Sequence, residues 1–311
     1  MAELHVPDDL ADQILVTLDV KDLIRFKSVC KSWYSLITSS RFVNRHLNRS
    51  YNKDHNNNAI AHRRISLPDD LFAGDYTDVH LVGSSNGLIC VSLYKIRILV
   101  GNPLIRQVRD LSLPPSVISP SCWGFGYDSS TDDYKLIVGD FENENQTCVR
   151  VLSLKYNIWR VIGDVKYEFI SKFGVLCKGA LHWIVRDIVS KKILVISFDL
   201  SNEEFKLIDH PRCISKRSKL GVINGCLCTY KYCKWSQCGD EIKYDCVHYL
   251  IPPKYKKNSL YRDESWFYKD YICGRRKQTY APIFVRSLVS PYFNMTPKEY
   301  MKVSNSNSSV N

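Results

Sequence analysis

Five cysteines crowd one stretch of the chain: Cys226, Cys228, Cys233, Cys238 and Cys246. Zinc takes four such ligands and commonly draws them from paired C-x-x-C turns. Here the spacings are irregular and no C-x-x-C occurs, so the stretch reads as buried strand thiols, with Cys226 and Cys228 on one strand face. His46, His55 and His62 stand without acidic or thiol ligands at useful spacing. No metal and no cofactor is expected. His182, beside Trp183 in an apparent strand, reads as a satisfied core or channel-lining residue rather than a base. Asp132-Asp133 and Glu203-Glu204 could suggest acid–base pairs. Adjacent carboxylates do not face each other, however, and both pairs fall where ordinary turns are expected. No nucleophile elbow, phosphate loop, dinucleotide fingerprint or H-E-x-x-H occurs. No catalytic residue is assigned, and an enzyme is not expected.

Charge is the next chemistry to consider. The net charge is +11, and it is unevenly placed: Ser201 to Asn311 carries 19 Lys and Arg against 10 Asp and Glu. Lys254 to Lys257 and Gly274 to Lys277 are its clusters, interleaved with Tyr255, Tyr261, Trp266, Phe267 and Tyr280. Lys256, Lys257, Arg275 and Arg276 are the candidate contacts for an acidic target protein. RNA competes for the same residues, because cations neutralise phosphates and aromatics stack on bases. The count is modest and no nucleic-acid motif is present, which disfavours it.

The stretch that could present a docking face is Val6 to Leu47, read as a run of short amphipathic helices. Pro7 can open the first, because a helix start leaves that N–H unpaired anyway. Asp8, Asp9 and Asp12 lie near its positive end. Leu10, Ile14, Leu15 and Leu18 then fall at helical spacing. Asp19 can cap a second helix, with Asp22 three residues on as a weak capping box. A third helix carries Val29, Trp33, Leu36 and Ile37, and Ser40 can cap a last turn with Phe42, Val43 and Leu47. About 45 residues cannot bury so many large apolar groups, since a domain that small hides only roughly 60% of its surface. Either the rest of the chain covers them or another protein does.

Asn48 to Ser66 is polar and aperiodic and reads as a linker. From about Val79 the period changes to strand alternation. A turn glycine followed by a strand recurs at Gly87, Gly179 and Gly225, spaced 92 and 46 residues, and 92 is twice 46. The skipped copy falls at Asp132-Asp133-Tyr134. An apolar residue followed by a base recurs at Val108-Arg109, Trp159-Arg160 and Phe205-Lys206, spaced 51 and 46. A period of that size with several strands per unit predicts a β-propeller of kelch or WD40 type. The spacing slips to 61 between Phe205 and Trp266, so the ring is expected to be short of a blade, distorted or unclosed at its C-terminal end.

The run from Pro7 through RFKSVCKSWYSLI resembles the F-box of plant F-box proteins. GSSNGLICV, GNPLIRQVRDLSLP, WGFGYDSSTDDYKLIV, VRVLSLKYNIWRVI, GALHWIV and ILVISFDLSNEEFKLI resemble, in order, the F-box-associated domain of the same family. The resemblance implies an all-α F-box at 1–50 and a propeller-like all-β domain at 77–293; the polar residues 51–76 between them read as the linker, and the Ser/Asn-rich residues 294–311 as a disordered tail. It also implies docking on a Skp adaptor, and through it on cullin and a RING subunit. The adaptor-facing set would be Pro7, Leu10, Ile14, Leu15, Leu18, Leu23, Ile24, Phe26, Val29, Cys30 and Trp33. Val6 replaces the usual Leu or Ile, and Asp19 replaces the usual Pro between the first two helices. Glu264-Ser265-Trp266 resembles a family Ser-Trp pair, and Phe284 to Ser290 the family's closing strand. The implied function is substrate recognition for a Skp–cullin–F-box ubiquitin ligase. The alternative is an RNA- or anion-binding propeller with a vestigial F-box. MAELHVPDDL is acidic with no apolar core, so no secretory signal is expected. Nor is a membrane span expected, because no run of 18 apolar residues occurs. The twelve Cys then point to a reducing compartment, cytoplasm and/or nucleus.

Overall fold

The structure, a computed structural model, describes residues 8–57, 79–93, 97–143, 146–209, 214–223, 225–232, 244–249 and 285–292. Helices come first: α1 (Asp8–Leu15), α2 (Val20–Phe26), α3 (Lys31–Thr38) and α4 (Ser40–Asn57). Ala11, Leu15, Val20, Leu23, Ile37 and Phe42 meet in their common core. The spacings of four residues in α1 and three in α2 keep one stripe of each of those helices facing inward.

Three local details differ from the reading of the sequence. Asp19 occupies the N-cap position of α2, but its side chain makes no capping hydrogen bond, so the capping box does not form. Its carboxylate lies instead 3.8 Å from Arg286. Ser39 rather than Ser40 caps α4, its Oγ accepting from the N–H of Phe42 at 3.3 Å. And α4 is no last turn: it runs to Asn57, through polar sequence read as the start of a linker. Once Phe42, His46 and Leu47 are buried, each added residue costs little, because the helix nucleus already exists. Tyr51 then anchors the helix, its Oη donating to Asn86 Oδ1 at 2.8 Å.

Four antiparallel sheets follow among the described residues. The first runs β1 (Val79–Ser85), β2 (Leu88–Leu93), β3 (Arg97–Asn102) and β4 (Gln107–Ser112). The second runs β5 (Pro120–Asp128), β6 (Asp133–Asn143), β7 (Gln146–Ser153) and β8 (Ile158–Val165). The third joins β9 (Tyr167–Phe169), β10 (Val175–Cys177), β11 (Ala180–Asp187), β12 (Ile193–Asp199) and β13 (Glu204–Ile208). The last holds β14 (Lys219–Ile223), β15 (Cys226–Tyr232) and β16 (Tyr244–Tyr249). The first, second and last sheets are simple meanders in strand order, and so is the third apart from the short β9 beside β11. This is the blade pattern that the repeats predicted.

Both recurring sequence pieces mark equivalent places. Asn86-Gly87 and Lys178-Gly179 carry positive φ at both residues, the two-residue turn that matches strand twist, and each joins the first two strands of a meander. Asp132, in the skipped copy, has φ 49° and precedes β6. Val108-Arg109, Trp159-Arg160 and Phe205-Lys206 lie on β4, β8 and β13, each the fourth strand of its meander.

The chain divides into two compact units. One draws on Met1–Val79, Ser84–Ser112 and Ile283–Asn311; the other on His80–Gly83 and Leu113–Pro282. In the second unit, Leu181, Trp183 and Val185 of β11 pack against Ile137, Val149 and Val151, while Ile184 faces Leu220 and Leu227. Alternate side chains thus fill cores on both faces of the sheet. The Trp183 indole lies over β5 and donates Nε1–H to the Trp123 carbonyl at 3.1 Å. A Cβ at Gly124 would meet that ring at 2.8 Å, which is why the strand reads W-G-F-G-Y.

Phe284 lies outside the described residues. Residues 285–290 form no strand, contrary to the closing strand expected there. The carbonyls of Ser287 and Val289 are taken up by a side chain instead of a ladder, as described below.

Candidate functional site

The helical unit is held together by more than its apolar core. Arg45 of α4 pairs with the Asp12 carboxylate of α1, and its Nη2 donates to the Asp12 carbonyl at 3.0 Å. His46 Nε2 bonds the Leu18 carbonyl at 2.9 Å, and its ring stacks on Phe42. Phe26 and Trp33 meet edge to face at 5.6 Å between ring centroids. Cys30 takes an extended backbone at the start of α3, where its Sγ accepts from the Trp33 N–H at 3.4 Å. No capping role was read for this thiol.

The expected adaptor-facing set separates into layers. Pro7 lies outside the described residues. Leu15 and Leu23 are buried in the core. They share the helical spacing of their neighbours, but they lie on the inner stripe. Leu18, Ile24, Phe26 and Trp33 are half-buried and packed on that core. Leu10, Ile14, Val29 and Cys30 face outward, with Leu10 at 50% and Ile14 and Val29 at 58% exposure. Tyr34, at 55%, joins the exposed apolar residues and was not singled out from sequence. Its signal was there: it stands four residues after Cys30, one helical turn on. Leu10 and Ile14, four apart on α1, form an apolar stripe turned away from the core. Large apolar side chains left outside an otherwise complete core are the mark of an interaction face.

In the second unit the turn carboxylates prove structural. The Lys135 ammonium is buried and reaches Asp128 Oδ2 and Glu203 Oε1, each at 2.9 Å, and donates to the Leu200 carbonyl. Arg160 Nη2 reaches Glu203 Oε1 at 2.6 Å. Asp128 also accepts from Ser130, Thr131 and Ser201. Burial alone would push the Asp128 carboxyl up, yet these donors together hold it well below the usual carboxylate range. Burial opposes both shifts, yet Lys135 is raised by its hydrogen bonds and charges with Asp128 and Glu203, and Glu203 is lowered by those with Lys135 and Arg160. Asp133 is buried, accepting from Ser153 and from the Lys155 N–H. Asp133 and Glu203 are thus not ordinary surface turn residues: they tie β5–β6, β7–β8 and β12–β13 together.

His182 is buried, with Nδ1 3.1 Å from the Val175 carbonyl. Burial lowers its pKa from the usual 6.5, partly offset by backbone hydrogen bonds, so the ring sits neutral in the core. Cys226 and Cys228 are buried free thiols, and burial pushes Cys228 up to about 12. Among the described residues no cluster of His, Cys, Asp and Glu is arranged to hold a metal ion. No helix is long and apolar enough to cross a membrane, again among the described residues. Cys233, Cys238, Glu264-Ser265-Trp266 and the candidate target contacts Lys256, Lys257, Arg275 and Arg276 lie outside the described residues.

Comparison with known proteins matches residues 4–45 to the F-box domain and residues 35–232 to the F-box associated beta propeller domain. The F-box protein CPR1 of Arabidopsis thaliana is 30% identical over 272 residues, covering 72% of this chain and 65% of the relative. An F-box/kelch-repeat protein of the same plant is 30% identical over 274 residues, covering 74% and 73%. Another of its F-box proteins is 27% identical over 221 residues, covering 65% and 59%. The chain thus spans roughly two thirds of the length of these relatives. A helical unit that matches the F-box, followed by propeller-type meanders, defines an F-box protein as a class. Within that class, the chain belongs to the plant family that carries an F-box associated domain.

Proposed function

We propose that this chain is the substrate-recognition subunit of a Skp–cullin–F-box ubiquitin ligase. Its helices dock on the Skp adaptor, and its β domain holds a target protein for ubiquitination. The observation that carries the reading is the exposed apolar stripe of Leu10 and Ile14, together with Val29 and Tyr34, on a helical unit whose core is already filled. The chain supplies no reacting group in this role. Holding a target beside the ubiquitin-conjugating enzyme raises the effective concentration of a target lysine, which accelerates transfer without new chemistry. Cytoplasm or nucleus is the compartment this role requires.

The test is a titration of the full chain with purified Skp adaptor. Leu10→Ala with Ile14→Ala removes exposed side chains only, so the fold should be retained and adaptor affinity should fall. Truncation of central apolar anchors costs on the order of 2 kcal/mol each at an interface. Unchanged affinity would reject the docking assignment.

A further inference from the structure

Asn102 ends β3 and is fully buried, and both ends of its side-chain amide are in use. Nδ2 donates to the backbone carbonyls of Ser287 and Val289, at 2.9 Å each. Oδ1 accepts from the backbone N–H of Leu104 at 3.0 Å. The two loops so held share a destination. Leu104 and Ile105 from one, and Leu288 from the other, pack on the apolar core of the N-terminal helices.

Further contacts fix the 285–292 segment in the same place. Ser287 Oγ donates to the Asn86 carbonyl and accepts from the Val289 N–H at 3.2 Å. Ser290 Oγ donates to Gln107 Oε1 at 2.6 Å, and Tyr292 Oη donates to the Val108 carbonyl at 2.6 Å. The segment crosses Gly87 so closely that a Cβ there would lie 2.3 Å from Ser287 Oγ and 2.6 Å from the Val285 carbonyl. Residue 87 therefore has two reasons to be glycine: its φ of 84° and the chain lying against it.

We propose that Asn102 is a positioning residue for the N-terminal helices. Through it the late segment and the first sheet brace those helices, and all three open and close as one cooperative unit. Loss of its amide would leave three backbone groups without their partner, two of them on the buried residues Ser287 and Val289, which frees both loops at once. The inference stands on the chain's own contacts, whichever partner the helices bind.

Hydrogen exchange on the full chain tests it. Asn102→Asp keeps the shape and the acceptor but loses both donors. The expected result is faster exchange at the Leu23 and Ile37 amides by about tenfold. Ser290→Ala, which leaves the amide network intact, should change these helical amides much less. If Asn102→Asp frees Val289 while the helices stay as protected as in the unmodified chain, the brace is local and the proposal is overturned. Should Asn102→Asp fail to fold, the coupling is read in reverse. Ile37→Val, a mild core change, should speed exchange at Val289 by about two- to tenfold, because coupling between sites is reciprocal. Unchanged exchange at Val289 would overturn the proposal equally.

Discussion

Asp19 occupies the position where the family pattern has proline, and its backbone explains why the change is tolerated. Its φ of −72° and ψ of 152° lie where a proline ring would hold them. With no capping bond to lose, Asp19→Pro should stabilise the helical unit by about 0.4–1 kcal/mol, through a stiffer unfolded chain. The urea midpoint of the two proteins checks this; a lower midpoint would mean that the partly exposed contact with Arg286 outweighs the backbone gain. His182 makes a prediction of opposite character. Its folded pKa lies below the usual 6.5, so the unfolded chain takes up a proton that the folded core refuses. The contribution of the neutral ring is therefore complete above pH ~6.5 and is lost as pH falls below it, with a limiting slope of about 1.4 kcal/mol per pH unit. Melting temperature between pH 7 and 5 should fall in the unmodified chain and fall less in His182→Gln. Asp128 and Glu203, whose pKa values are depressed, act in a separate, more acidic window: their contribution is full above the ordinary carboxylate range and is lost as pH drops through their lowered values.

At the scale of the element, one strand and one ion cluster decide how neighbouring meanders join. β5 can lie under the Trp183 indole because residue 124 has no side chain. Gly124→Ala should therefore cost about 1–3 kcal/mol by overpacking, seen as a lower denaturant midpoint with an unchanged slope. The Lys135 cluster bonds β6 to the β12–β13 turn with both carboxylates largely out of water. Removing one member of a buried set strands the others, and Lys135→Ala should cost about 3–5 kcal/mol. A loss below 1 kcal/mol would mean that water already screens the site. The helix α4 is the element whose extent sequence concealed. Its polar residues carry no periodic apolar signal past Leu47, and its length follows from a nucleus packed elsewhere and from the contact of Tyr51 with Asn86.

For the molecule as a whole, the surplus of apolar groups in the first 50 residues has a double answer. Part of it is covered by the chain itself, through Leu104, Ile105 and Leu288. Part remains outside at Leu10, Ile14, Val29 and Tyr34. A fragment of residues 1–57 loses the first cover and keeps the second exposed. It should aggregate or stay expanded, and co-expression with the Skp adaptor should rescue it only in part, because the missing contacts lie on the chain's own β3–β4 turn and late segment. Light scattering of the fragment with and without adaptor reports the outcome. Charge reversal at Lys256, Lys257, Arg275 and Arg276 should weaken capture of an acidic target and leave adaptor affinity unchanged. Parallel pull-downs of target and adaptor would separate the two effects.

The sequence alone determined what depends on local rules. Strand alternation and the spacing of Gly87, Gly179 and Gly225 placed the hairpin turns, because those turns need positive φ and each meander repeats the need. Helical spacing placed Leu10, Ile14 and Leu15 on one helix, although α1 ends at Leu15 and leaves Leu18 in the bend beyond it, and RFKSVCKSWYSLI carried the family resemblance. Sequence did not separate Leu15 and Leu23 from Leu10 and Ile14. All four are apolar at helical spacing, and only packing against the other helices says which stripe turns inward. Nor did it reveal Asn102, whose partners Ser287 and Val289 lie some 185 residues away. It could not show that Glu203 would answer Lys135 across two meanders. Contacts of that separation leave no periodic trace in the chain. They exist only once the backbone has brought a buried amide or charge to groups that would otherwise be left unpaired, and that is what the tertiary structure decided.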